Sequence, residues 1–158
     1  MLTLHIPSRP ILNITDLVLD YNGTLAFEGR VKSGVFERLE QLAAIAALRI
    51  HVITADTYGS VHEECNKPYI IIHVIAKEKQ DEEKRRYIEH LGTQNCVAIG
   101  NGRNDALMLQ SAAIGMALLQ EEGLSFEALR HSDTLFKNIN DALDALLHPS
   151  RLIATLRN

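Results

Sequence analysis

The sequence predicts an α/β fold, a three-layer sandwich around a mostly parallel, doubly wound, Rossmann-like sheet, formed as one domain over residues 1–158. Three observations predict it. Short β-branched runs alternate with helical periodicities, the pattern of βαβ units whose sheet is covered on both faces. The length of 158 residues suits one domain able to bury its own core. The chemistry-bearing residues fall where strands end, at the edge where such sheets bind ligands.

The elements follow in order. ITDLVLD (14–20) reads as a buried strand, and FEGRV (27–31) has room for a small flap hairpin. A helix is expected within 31–48, because Val35, Leu39, Leu42 and Ala46 form one stripe opposite Glu37, Arg38 and Glu40. RIHVIT (49–54) and YIIIHVIA (69–76) are strands, and residues 79–91 form an amphipathic helix that stops at Gly92. CVAIG (96–100) is the next strand, followed by a helix over 103–112 and a strand over 114–119. A short helix (125–132), a strand (134–137) and a helix (138–148) complete the core. That last helix is capped by Asn138 or Asn140 and closed by Pro149. Leu152, Ile153 and Leu156 mark a packed tail.

Composition narrows the function. The chain is 46% hydrophobic and 23% charged, with net charge −4. Its densest charged run, 78–86, mixes both signs, which reads as a solvated helix start, so no nucleic-acid partner is expected. No apolar run approaches the roughly 20 residues of a membrane helix, and MLTLHIPSRP lacks the pattern of a signal peptide. Cys65 and Cys96 form no CxxC pair and read as buried free thiols, so a cytoplasmic location is expected.

Asp20 ends the first strand, and Asn22-Gly23 follows it at once. Asn-Gly between extended runs is the strongest short hairpin signal. A hairpin there accounts for one feature only. Thr54 also ends a strand, GNGRND (100–105) follows another, and Lys84 comes from the helix leading into it. Together DYNGTLA, VITADT, Lys84 and GNGRNDALML resemble the motifs of the haloacid dehalogenase (HAD) superfamily. Within it the chain is most similar to the soluble P-type ATPase-like proteins. The resemblance runs from about residue 14 to 147.

That resemblance implies a phosphohydrolase working through an aspartyl-phosphate on Asp20. Tyr21, Gly23 and Thr24 would cradle the phosphate, the amides of 21–24 forming a nest. Thr54, with Ala55 beside it, would donate a hydroxyl. Lys84 would neutralise phosphoryl charge, with Lys77 and Lys79 competing for that role, and Asn104 and Asp105 would close the site. Mg2+ is the implied cofactor, held by Asp20, the carbonyl of Asn22, Asn101 and Asp105. Two positions depart from the phosphatase pattern, because Asn22 and Asn101 stand where acids usually do. An amide cannot exchange a proton at neutral pH, so turnover is expected to be slow and the metal weakly held. Thirty-four positions separate Asp20 from Thr54 and 30 separate Thr54 from Lys84, too few for a cap domain. An open site for a small phosphorylated substrate, covered in a homo-oligomer, is the expectation, and ion transport is not. The alternatives are a stably phosphorylated regulatory or binding protein and a phosphotransferase.

Overall fold

The structure, a computed structural model, describes residues 1–55 and 60–157. It begins with strands too short to leave a periodic signal. β1 (Leu2–Leu4) and β2 (Leu12–Ile14) pair antiparallel, Leu2 opposite Ile14 and Leu4 opposite Leu12. Alternation buries those four side chains, while the Thr3 hydroxyl donates to the Asn13 side chain on the outer face at 3.1 Å. The strand expected over 14–20 therefore begins after a break at Thr15, as β3 (Asp16–Asp20).

β4 (Ala26–Phe27) and β5 (Arg30–Val31) make the flap. Its two-residue turn is Glu28-Gly29, both with positive φ (51° and 77°), as the tight turn of a hairpin requires. The hairpin thus lies six positions past the Asn-Gly pair that signals one. Then come α1 (Val35–Ile45), β6 (Arg49–Thr54), α2 (Ser60–Glu64) and β7 (Ile70–Val74). α3 (Gln80–Leu91), β8 (Cys96–Gly100), α4 (Ala106–Ser111) and β9 (Ile114–Leu118) follow. The chain ends through α5 (Phe126–Arg130), β10 (Thr134–Phe136), α6 (Ile139–Leu147) and α7 (Pro149–Leu156). α2 has no counterpart in the sequence reading.

Six strands form one sheet in the order β10-β9-β8-β3-β6-β7, and every neighbouring pair is parallel. The first three in chain order run outward one way from β3 and the next three run the other way. The winding reverses between β3 and β8, which opens a crevice at their carboxyl ends. Alternation along β3 feeds both faces. Leu17 and Leu19 join Val35, Leu39 and Leu42 of α1 and Leu143 and Leu146 of α6. Val18 joins Ile88 of α3 and Met108 and Leu109 of α4.

Local chemistry explains the helix ends. Asn138 caps α6 by accepting the Asp141 amide at 2.9 Å, while Asn140 instead donates to the Ser33 carbonyl. Pro149 does more than close α6. It takes the first turn of α7, where a missing N–H costs nothing, and α7 buries Leu152 and Leu156 as a packed tail. Cys65 and Cys96 are buried free thiols. Among the described residues no helix is long and apolar enough to cross a membrane.

Candidate active site

β3 carries two buried carboxylates on one face, Asp16 at its start and Asp20 at its end, and their surroundings differ. Burial works to raise the Asp16 carboxyl, but hydrogen bonds from Arg49, Thr15 and His51 outweigh it and hold it below its ordinary value. This group is saturated by structural partners. Asp20 is pushed the other way, up to about 7, first by burial and then by the charge of Asp105, against the opposing pull of Lys84 and Thr24.

Lys84 joins the two sides of the crevice. It is 1% exposed, and its Nζ donates to Asp20 Oδ1 at 2.5 Å and to Asp105 Oδ1 at 2.6 Å. Burial alone would lower its pKa, but the charges of Asp105 and Asp20 hold it well above the ordinary lysine value. α3 delivers Lys84 from its buried face, which it shares with Ile88. Of the lysines that competed for this role, Lys77 lies at the rim of the cavity, and Lys79 is exposed in a left-handed conformation just before α3.

Asp105 closes the turn Arg103–Asp105 that leads into α4. Its Oδ2 accepts the amides of Asn101 and Gly102 at 3.0 and 2.9 Å. Position 100 must be glycine, because an added Cβ would lie 2.6 Å from Asp105 Cγ. Both Asp105 oxygens are therefore engaged. The residue expected as a metal ligand thus also anchors Lys84 and shapes the loop.

Asn101 is buried, its Oδ1 accepting the Thr24 hydroxyl at 3.3 Å and its Nδ2 donating to the Gly123 carbonyl at 3.1 Å. Asn104 Nδ2 donates to Gln80 Oε1 at 2.8 Å. A cavity of about 510 Å³ brings Asp20, Asn22, Thr54, Ala55, Asn101 and Asn104 together with Lys77, Gln80, Gly102 and Glu122. Lys77, named only as a rival to Lys84, is joined by two residues that motif spacing did not single out, Gln80 and Glu122. The end of the VITADT run falls within residues 56–59, outside the described residues.

Two expectations are corrected by the loop after β3. The Tyr21 side chain is fully buried in the core and its hydroxyl donates to the Gly29 carbonyl, so it is not among the side chains that line the cavity. The amide nest of 21–24 is partly consumed by the turn itself. Gly23 N–H donates to the Ala26 carbonyl and Thr24 N–H to the Tyr21 carbonyl.

The donors that fit a metal are all oxygens, namely the Asp20 carboxylate, the Asn22 carbonyl and Asn101 Oδ1. Among the described residues no group of three or more His, Cys, Asp or Glu could hold a metal ion. That set suits only an ion content with one or two carboxylates plus phosphate and water, which is the habit of Mg2+.

The raised Asp20 pKa has a signed consequence. Unfolded, the carboxyl ionises near 3.8, whereas folded it keeps its proton to about 7. Between those values the native state binds more protons, so this group's contribution to stability falls as pH rises. Calorimetric melting of wild type and Asp20→Asn at pH 5 and pH 7 should show wild type losing ground to the variant at the higher pH. Parallel behaviour would mean that Asp20 titrates as an ordinary carboxylate.

No family model matches the chain. It is 42% identical over 79 residues to the uncharacterized protein MJ0073 of Methanocaldococcus jannaschii, covering 48% of this chain and 85% of that protein. Among solved structures it is similar to the 3-deoxy-D-manno-octulosonate 8-phosphate phosphatase from Moraxella catarrhalis, determined with magnesium ion, phosphate ion and KDO. The TM-score is 0.67 at 15% identity, over 91% of this chain and 94% of that one. It is also similar to BT1666 from Bacteroides thetaiotaomicron, a phosphatase of the HAD superfamily, with TM-score 0.64 at 14% identity over 90% and 96% of the two chains.

Proposed function

We propose that this chain, which belongs to one family with the archaeal protein MJ0073 and has the HAD fold, is a slow phosphohydrolase for a small phosphorylated substrate. The observation that carries the reading is the buried Asp20–Lys84–Asp105 chain at the point where the sheet reverses. A purely structural ion pair has no need to hold one of its carboxylates, Asp20, at the wall of a 510 Å³ cavity.

The chemistry follows from the placement. Phosphoryl transfer requires positioning and charge neutralisation. In this reading the Asp20 oxygen not held by Lys84 attacks phosphorus, the bond to the leaving oxygen breaks, and an aspartyl-phosphate forms. Lys84 stays charged and balances the phosphoryl oxygens, while Asp105 fixes its position. Thr54, buried at the end of β6, stands beside the attacking group as a hydroxyl donor. Magnesium, held by Asp20, the Asn22 carbonyl and Asn101, would supply further charge neutralisation. A water then attacks phosphorus, and the bond to Asp20 breaks to release phosphate. Asn22 can neither give a proton to the leaving oxygen nor take one from that water, which makes both steps slow.

Asn22→Asp tests this directly. Restoring a group of this kind is worth about 10²–10⁴ in rate, so phosphate release from the acylphosphate intermediate should accelerate on that scale. An unchanged release rate in a phosphorylated variant would remove Asn22 as the cause of slowness. The same substitution favours a second reading, a protein whose function is to remain phosphorylated. On that reading the faster variant loses signalling while gaining turnover. We further read residues 1–158 as a single catalytic core whose open site a homo-oligomer would cover.

A further inference from the structure

We propose that Glu122 supplies the carboxylate that Asn101 lacks, acting as a charged ligand for the divalent cation of this site. The inference rests on the phosphohydrolase reading and adds a residue to it. The turn that carries Glu122 lies between β9 and α5 and is bound to the site at several points. Gly123 N–H donates to the Gln120 carbonyl at 2.9 Å. Gln120 Nε2 donates to the carbonyls of Gly23 and Thr24, both at 2.9 Å, and its Oε1 accepts the Ile139 amide at 2.8 Å. Asn101 Nδ2 donates to the Gly123 carbonyl, and the Asn101 carbonyl accepts the Ser125 amide at 2.9 Å. The turn thus holds position through the two loops that form the site.

That clamp aims Glu122 at the space over Gly23. A Cβ built there would lie 2.6 Å from Glu122 Oε2, 2.7 Å from Asn101 Nδ2 and 2.9 Å from Asn101 Oδ1. With φ at +76° and no side chain, Gly23 leaves a gap on which the Glu122 carboxylate and the Asn101 amide group converge. The two neighbouring acids divide the work. Glu121 turns outward to Lys32 at 2.7 Å, whereas no hydrogen bond or ion pair engages the Glu122 side chain among the described residues. Charge completes the case. With Asp105 holding Lys84 and two amides, Asp20 is the one acid in the donor set of Asp20, Asn22 and Asn101, and Glu122 would bring that set to two carboxylates, within the one or two usual for Mg2+.

Isothermal titration of MgCl2 into the full chain tests this apart from turnover. Glu122→Gln should weaken binding roughly tenfold or more, while Glu121→Gln leaves it unchanged. Asn101→Asp in the Glu122→Gln background should restore it, because the charge returns at the neighbouring position. Equal affinity in wild type and Glu122→Gln, or no magnesium binding in wild type, overturns the proposal. Uptake of phosphate from acetyl phosphate, read by intact mass on the same samples, separates the two readings. Uptake without a Glu122 effect sinks this inference alone. Glu122-dependent binding without uptake sinks the phosphohydrolase reading alone.

Discussion

Asp20→Asn is expected to take up no phosphoryl group from acetyl phosphate and magnesium, while the wild-type protein should gain one that intact mass spectrometry detects. The expected loss in phosphate release is about 10⁴-fold or more, the scale on which removing a covalent nucleophile is felt. The substitution is nearly isosteric, and Lys84 keeps Asp105 as a partner at 2.6 Å, so the variant should fold. A raised Asp20 pKa also predicts that the rate of phosphorylation falls as pH drops below about 7, because the protonated carboxyl does not attack. Equal mass gain in wild type and Asp20→Asn would place the phosphoryl group elsewhere and end the proposed mechanism.

Lys84→Met carries the second large effect, and it acts on fold and chemistry together. Asp20 and Asp105 are both buried, and the Oδ1 of each accepts from the same ammonium. Removing one partner of a buried ion pair costs about 3–5 kcal/mol, because the remaining charge is left uncompensated. At this chain length each kcal/mol lowers the melting temperature by about 2–4 °C, so a fall on the order of 10 °C is expected. In whatever fraction folds, losing the electrostatic donor should cost roughly 10²–10³ in phosphorylation rate. The double variant Lys84→Met/Asp105→Asn separates the two effects. It should recover much of the melting temperature by relieving the repulsion, and none of the rate. Recovery of both would make Lys84 a purely structural residue.

Much of the architecture was legible because its signals are local and long enough to register. The six sheet strands and the helices α1, α3 and α6 announce themselves by periodicity, and their order alone implies the doubly wound sheet. The hairpin of β1 and β2 escaped because each strand is three residues long and its partner lies across a loop. α2, with five residues, is below the length at which periodicity speaks. Asn22-Gly23 misdirects for another reason. The pair does lie in a turn, but the turn closes on the Tyr21 carbonyl, and the true hairpin uses Glu28-Gly29.

The site divides similarly. Asp20, Thr54, Lys84 and Asn101 stand at strand ends or on a periodic helix, so position in the pattern points to them. What the chain could not announce is how the side chains share partners. Asp105 looks like a ligand in sequence, and in space it also serves as an anchor, accepting from two backbone amides and Lys84. Glu122 belongs to none of DYNGTLA, VITADT and GNGRNDALML. It reaches the site through a side-chain clamp from Gln120 to a loop 96 and 97 positions away, and no window of sequence contains that relationship.

The reversal of winding beside β3 also dictates when the site can exist during folding. β3 pairs with β6 through Asp16 and Arg49 and with β8 through Asp16 and Cys96, so the central strand has no local partner. Pairings of such long sequence separation carry a loop-closure cost before any contact repays it, and they slow folding. Asp20 and Asn101 become neighbours only once β8 has docked. Chains assembled only around α1 and β6 therefore bury apolar surface and still lack the complete site. Recovery of phosphoryl uptake after dilution from denaturant should consequently be the last signal to return, later than helical circular dichroism.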